Sequence, residues 1–400
     1  MSHSRRKLIA RHAIAAIACL WWTGAAGAEG AGGLWSGVWQ GTIGKSEVQV
    51  CLQPGDEGSR GAYYYRKHLT LIAIAGEPSG AGRDSLQLKE SVPGPKDGAG
   101  NRPRTEARWQ LQAAADGKTL SGTWRDGRKS VPVNLSAVVW RATDVHRTPC
   151  TSDAFNLPRE HPGALATKDA ALRGVPYRVL SVKFGERYEA ELASFELLRD
   201  TPGVKGFNAA QRRALHEEER DVFDCSRGAL EFGTGDADYE STVVPKVITD
   251  HWAVVEQTGA FDCGGAHPDS TTKMTTWNLV TGETVDVWGW FLPTAAAVER
   301  HGEGAERYTT VVMRKPLRKL LAPRRQRSDD CGDAIASADD WMVYPTGKGL
   351  GFVPNLAHVD QACANEIVLP WARVLTLLNR PGQEAVAAFR ADVEHLPASP

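Results

Sequence analysis

The sequence contains no C-x-x-C, no G-x-S-x-G and no segment repeated at solenoid spacing. The first absence removes zinc ribbons and thioredoxin-type redox sites. The second removes the nucleophile elbow of acyl-transfer enzymes, and the third removes repeat arrays. A near-match to a zincin helix, His216-Glu217-Glu218-Glu219-Arg220, has arginine where the second imidazole would stand. Both imidazoles must share one helix face to hold zinc, so no metalloprotease is expected, and no other His/Cys/Asp/Glu grouping has metal-ligand spacing. Gly347-x-Gly349-x-Gly351 lacks the third-glycine spacing of a dinucleotide loop and reads as a hairpin turn. No cofactor is expected. Charge of one sign is also lacking. There are 47 basic against 48 acidic residues, a net of −1, which gives the whole chain no strong pull toward nucleic acid or an anionic membrane.

Long apolar runs are scarce as well. The exception is Ala13 to Trp22, preceded by Arg5, Arg6, Lys7 and Arg11 and followed by Ala26-Gly27-Ala28. That run falls short of the roughly 20 residues of a membrane-spanning helix. A basic start, a short apolar stretch and a small-residue A-x-A site read as a secretory signal over 1–28, cleaved near Ala28. A lipoprotein signal through Cys19 is the lesser alternative. Removing 1–28 takes away four of the 47 basic residues and none of the 48 acidic ones, leaving a net of −5. No transmembrane segment is expected in the mature chain, and its compartment is expected to be periplasmic or extracellular.

Six cysteines remain: Cys51, Cys150, Cys225, Cys263, Cys331 and Cys363. An even number in an exported chain predicts disulfides. The spacing alone does not choose the pairing. Cys51–Cys150, Cys225–Cys263 and Cys331–Cys363 would keep each bridge within one module.

The fold class expected is α+β and β-rich, and a chain of 400 residues suggests two or three domains. Residues 29–140 open with a Gly-rich leader. Runs of β-branched and aromatic residues follow, among them Trp35 to Val50, Tyr63-Tyr64-Tyr65 and Leu69 to Ile74. Asp116-Gly117 and Asp126-Gly127 are hairpin signals, and Pro93 to Arg104 reads as a long loop. This is an antiparallel β-meander that closes as a barrel or a sandwich to hide its edges. Residues 141–175, with Pro149, Pro158 and Pro162, read as a linker. A mixed α+β domain spans 176–393, with a tail at 394–400. Within it, Asn208 to Val222 reads as a helix capped by Asn208 with Gln211. Short helices are expected over 293–300, 316–322 and 372–378, the last closed by Pro381-Gly382.

Three places could carry chemistry. Thr258 to Pro268 holds Cys263, Gly264-Gly265, His267 and Pro268, with Asp262 and Asp269 close by. A His–Asp pair here could act as general acid and base, while the competing reading is a histidine that pins a turn. Tyr63-Tyr64-Tyr65 before Arg66-Lys67-His68 could expose aromatics beside cations for sugar or protein recognition. Arg314 to Arg327 is a basic block, read as a solvated loop with local pairing or as a dock for an acidic partner.

The order Gly264-Gly265-Ala266-His267-Pro268, then Thr276 to Gly282, a strand ending at Phe291, and a late Ile367-Val368-Leu369-Pro370-Trp371 entering a Leu-rich helix resembles the extracytoplasmic C-terminal domain of RsiV-type anti-sigma factors. The resemblance covers about 176–380. In that group the domain recognises lysozyme, and a related domain accompanies some peptidoglycan deacetylases as a non-catalytic part. With no sigma-binding or deacetylase segment here, the resemblance implies an exported, non-catalytic cell-envelope binding protein. Its partner would be a lysozyme-like protein or a peptidoglycan fragment. The alternative is a periplasmic hydrolase using His267 with Asp262 or Asp269.

Overall fold

A computed structural model of the chain describes residues 35–55, 58–76, 85–91, 107–232, 237–302, 308–322 and 331–397. The expected signal over 1–28 with Cys19, the leader, the loop at 93–104, the basic residues 324–327 and the last three residues of the tail lie outside the described residues.

Eight antiparallel strands come first: β1 (Gly37–Ile43), β2 (Ser46–Gly55), β3 (Gly58–Tyr65), β4 (Ile72–Gly76), β5 (Ser85–Ser91), β6 (Arg108–Ala113), β7 (Thr119–Asp126) and β8 (Lys129–Val138). Each pairs with the next. β8 returns to β1 with Val138 opposite Val38, so the meander is a closed barrel rather than a sandwich. Strand alternation sends Trp39, Val50, Tyr63, Leu88, Trp109, Leu111 and Leu135 inward, where they fill the interior. Both Asp-Gly signals form turns, with Gly117 at φ +64° and Gly127 at φ +53°.

The stretch 141–175 is not a bare linker. It holds helix α1 (Asp153–Asn156) and strand β9 (Ala164–Leu172). Phe155 packs with Val38, Ala62 and Tyr64 on the outer wall of the barrel and with Leu230 of the second module. Arg159 is buried with its guanidinium 4.7 Å from the Tyr188 ring, donating to the carbonyls of Leu69 and Arg187 at 2.9 Å each. Arg227 forks onto Glu160 at 2.6 and 2.8 Å. Proline and polar residues suggest a linker only when they lack partners. Here the partners lie on elements far away in sequence.

The second module is built on a seven-stranded sheet. Its strands are β9, β10 (Val175–Lys183), β11 (Glu189–Leu197), β12 (Asp238–Ile248), β13 (Trp252–Asp262), β14 (Asp269–Asn278) and β15 (Glu283–Val285), side by side in that order. All neighbours are antiparallel except β11 and β12, which are parallel and joined through α2 (Pro202–Phe232), the long crossover that parallel pairing requires. The helix is longer than Asn208 to Val222, and Asn208 does not cap it. Its side chain accepts the Leu197 N–H at 2.9 Å and donates to the Leu197 carbonyl at 3.0 Å, tying helix to sheet. At the helix start, a Cβ on Gly203 would lie 2.1 Å from the Leu279 carbonyl oxygen. Only glycine lets the β14–β15 turn seat there.

β13 is covered on both faces. Ala253 and Val255 face the layer under α2, and Trp252 and Val254 face a second core. The chain that builds this core runs through a 3-10 turn at Val287–Trp290, β16 (Ala296–His301), β17 (Tyr308–Met313), α3 (Lys315–Leu321) and α4 (Cys331–Ser337). It continues through β18 (Trp341–Pro345), β19 (Gly349–Pro354), β20 (Ile367–Pro370), α5 (Trp371–Val374) and α6 (Arg380–Glu394). Trp252, Trp290, Trp341, Trp371, Phe352 and Phe389 meet here, and burying such side chains is worth roughly 1.5–3 kcal/mol each. The helix expected over 293–300 is strand β16, because pairing with β17 overrides an alanine-rich local preference. Pro381-Gly382 opens α6 instead of closing a helix. Asn379 caps it by accepting the Gly382 N–H at 2.8 Å, and proline at the first turn loses nothing because that N–H has no helical partner.

Three disulfides, Cys51–Cys150, Cys225–Cys263 and Cys331–Cys363, cross the fold. Bridges in this number belong to an oxidising, extracytoplasmic compartment. Among the described residues no helix is long and apolar enough to cross a membrane.

Candidate functional site

Cys263 to Pro268 form the tip of the β13–β14 hairpin, where Phe261 stands opposite Asp269. The tip is anchored in two ways. Cys263 is bonded to Cys225 of α2, and Asp262 Oδ1 accepts the Gly264 N–H at 3.0 Å, with Gly264 at φ +81°. Asp269 Oδ1 accepts the Ser270 N–H at 2.8 Å. His267 is exposed, with Nδ1 3.0 Å from the carbonyl of Pro268. Asp262, Asp269 and His267 thus each make a short-range bond to the backbone of the turn, which is the geometry of a shaped corner.

Beside this hairpin the second core runs out, and a cleft of about 620 Å³ opens. The alternation that buries Trp252 and Val254 puts Glu256 on the same face of β13. Lys246 stands at a bulge in β12 between Pro245 and Val247. A bulge re-aims its side chain, and Lys246 Nζ reaches Glu256 Oε2 at 3.2 Å. Asp269, Ser270, Thr271 and Thr272 of β14 complete this wall. Asp269 lines the cleft, while His267 is not among its lining residues.

The facing wall comes from β18, β19 and the 3-10 turn at His358–Cys363. The Tyr344 hydroxyl donates to Glu366 Oε1 at 2.5 Å. Burial first, then the Glu366 hydrogen bond and the charges of Glu366 and Glu256, raise the phenol well above its usual range. A Cβ on Gly351 would come within 2.7 Å of Glu366 Oε1 and 2.9 Å of the Tyr344 ring, so glycine makes room for this pair. Cys331–Cys363 ties the turn to α4. Each wall therefore carries its own covalent staple. Glu256, Asp269 and Glu366 face the cleft against one lysine, with Asn355, Gln361 and Asn365 as neutral hydrogen-bonding groups. Among the described residues no cluster has the makings of a metal site.

The other two candidates separate. Tyr63 lies inside the barrel and Tyr64 lies under Phe155, where its hydroxyl donates to the Phe155 carbonyl at 2.8 Å. Only Tyr65 is partly open, so these tyrosines do not form an exposed aromatic surface. In the basic block, Arg314 faces Glu299 at 3.4 Å and Arg318 faces Asp339 at 3.6 Å.

Three further groups had no local signal. Glu90 Oε1, inside the barrel, accepts from Tyr63 Oη at 2.7 Å, Trp109 Nε1 at 2.9 Å and Trp124 Nε1 at 2.5 Å. Asp392 of α6 accepts from the Thr249 hydroxyl at 2.8 Å and meets His251 Nδ1 at 3.0 Å. Burial would raise this carboxyl, but hydrogen bonds from the His251 ring, Thr249 and the His251 N–H together hold it below its usual range. The third is the Tyr344–Glu366 pair itself.

No protein-family model and no curated protein matches the chain. Solved structures similar to part of it include two of the DUF3298 family. One is a member of the DUF3298 family from Bacteroides fragilis NCTC 9343, 11% identical, with a TM-score of 0.33 over 58% of this chain and 96% of that one. The other is a DUF3298 family protein from Pseudomonas aeruginosa PAO1, 13% identical, with a TM-score of 0.31 over 56% of this chain and 98% of that one. RsiV-type domains belong to DUF3298, and at these scores the likeness remains a similarity over part of the chain.

Proposed function

We propose that the chain is an exported, non-catalytic binding protein of the cell envelope, and that the cleft beside the β13–β14 hairpin takes a peptidoglycan fragment. The observation that carries this reading is the lining: three carboxylates, one lysine and neutral amides between two walls that are each fixed by a disulfide. A volume of about 620 Å³ suits a small polar ligand. The amines of a stem peptide match Glu256, Asp269 and Glu366, and a ligand carboxylate matches Lys246. Fixed walls reduce the ordering cost of binding.

The acidic opening also favours a second reading, in which a basic side chain of a lysozyme-like protein enters the cleft. A hydrolase built on His267 has less support, since His267 does not line the cleft.

The test is calorimetric titration of the purified chain with soluble peptidoglycan fragments and with lysozyme, while turnover is monitored. Binding that is lost in Glu366→Gln and Asp269→Asn and kept in His267→Ala is the expected result. Turnover that disappears in His267→Ala would overturn the binding reading. Binding indifferent to Glu366 and Asp269 would remove the cleft from it.

A further inference from the structure

The barrel has one strongly basic end. Lys45 of the β1–β2 turn, Arg66 and Lys67 of the β3–β4 turn, and Arg125, Arg128 and Lys129 around the β7–β8 turn are all exposed there. The exposed acidic residues in these same turns are Glu47 and Asp126. Among the described residues of these three turns, six exposed cations against two anions is a local excess of four, in a chain whose overall charge is −1.

The backbone under these charges is fixed. Gly44, at φ +60°, donates its N–H to the Pro132 carbonyl at 2.8 Å. The N–H groups of His68 and Leu69 both donate to the Tyr65 carbonyl at 2.8 Å. Lys129 Nζ lies 5.8 Å from the centre of the Trp124 ring, within cation–π range.

Just below the rim the barrel is plugged. Glu90 gathers Tyr63, Trp109 and Trp124, and both Tyr63 and Trp109 are 1% exposed. Among the described residues the interior below the rim is filled by buried side chains, and the cations of the three turns stand exposed at the mouth. The charges come from three separate turns around a closed ring of strands. They match a plane of negative charge better than a single extended chain. Tyr65 and Trp124 are partly exposed at the same end, and amphipathic rings of this kind settle at headgroup depth.

We infer that this end of the barrel docks on an anionic lipid surface, its cations meeting phosphodiester headgroups. The test is flotation of the purified full chain with vesicles of phosphatidylcholine alone and of phosphatidylcholine mixed with phosphatidylglycerol. Co-flotation is expected only with the anionic vesicles, and it weakens as added salt shortens the screening length from about 10 Å toward about 3 Å. Combining Lys45→Gln, Arg66→Gln and Lys67→Gln lowers partitioning about fivefold per charge, roughly a hundredfold in all. A control with Lys183→Gln, Arg213→Gln and Lys348→Gln removes the same charge from exposed positions of the second module and leaves partitioning unchanged. The inference is overturned by equal flotation with both vesicle types, by no flotation, or by equal loss in the two triple variants. Capture of a soluble polyphosphate without vesicle binding also overturns it and reassigns the rim to a linear polyanion.

Discussion

Both modules contain a tyrosine that donates to a glutamate, and they use the pair in opposite ways. In the barrel, Tyr63 bonds Glu90 at 2.7 Å, and two tryptophan N–H groups converge on the same oxygen inside a filled interior. In the second module, Tyr344 bonds Glu366 at 2.5 Å on the wall of a cleft of about 620 Å³. Burial and the neighbouring glutamate raise both phenols and keep them protonated as donors. The chemistry of the pair does not distinguish a structural role from a binding role. Enclosure does: Glu90 is consumed by protein donors, whereas Glu366 stands beside space that a ligand can enter.

The barrel can first be separated from its neighbour. Replacing Cys51 and Cys150 with alanine removes a crosslink across 99 residues, a loop for which chain entropy gives about 4–5 kcal/mol. Calorimetry is expected to show the barrel melting apart from, and before, the second module. A single unsplit transition would mean that the α1 and Arg159 contacts suffice to couple them.

Next in size is the contrast between the two glutamates. Glu90→Ala strands three donors in the barrel and is expected to lower unfolding free energy in urea by about 3 kcal/mol. Glu366→Ala should cost about 1 kcal/mol or less, because water in the cleft can take the Tyr344 hydroxyl. Equal costs would erase the distinction between a closed and an open pair.

A smaller effect is expected at Asp392, which ties α6 to the β12–β13 turn. Asp392→Ala should cost about 1–2 kcal/mol at neutral pH. The folded-state pKa of this carboxyl is depressed. Its contribution is therefore complete above the unfolded value of about 3.9 and is lost as pH falls through the folded value. The gap between wild type and variant in thermal melts should close in that acid window. A gap that stayed constant with pH would argue for packing rather than charge.

The smallest change expected is for Glu366→Gln, which keeps an acceptor for Tyr344 while removing charge. Stability should move by less than about 0.5 kcal/mol, and the Tyr344 phenol should titrate lower by ultraviolet difference spectroscopy. No movement would mean that burial alone holds it up.

Much of the barrel was legible because its signals are local. Period-two alternation from Trp39 to Leu135 marks the inward face, and the Asp-Gly turns mark reversals. The cleft was not legible, since its groups come from distant segments. Lys246, Asp269, Tyr344 and Glu366 share no spacing that periodicity could detect. His251 and Asp392 lie 141 positions apart. The sequence drew attention to His267 because histidine, glycine and proline cluster there. The group beside it that reaches the cleft is Asp269, which the sequence offered only as a partner for the His267 imidazole. Net charge misled in a similar way, since a value of −1 for the chain conceals the excess of cations at one barrel end.

By itself the sequence determined the β-rich class, the hairpin turns and an even set of cysteines suited to crosslinking. These follow from side-chain alternation, backbone sterics and residue counts within a few positions. Tertiary structure alone decided that the meander closes, that 141–175 joins the two modules, and that one Tyr–Glu pair is sealed while the other faces a cleft. Burial and hydrogen-bond partnership depend on what the rest of the chain brings alongside, and no local pattern encodes that.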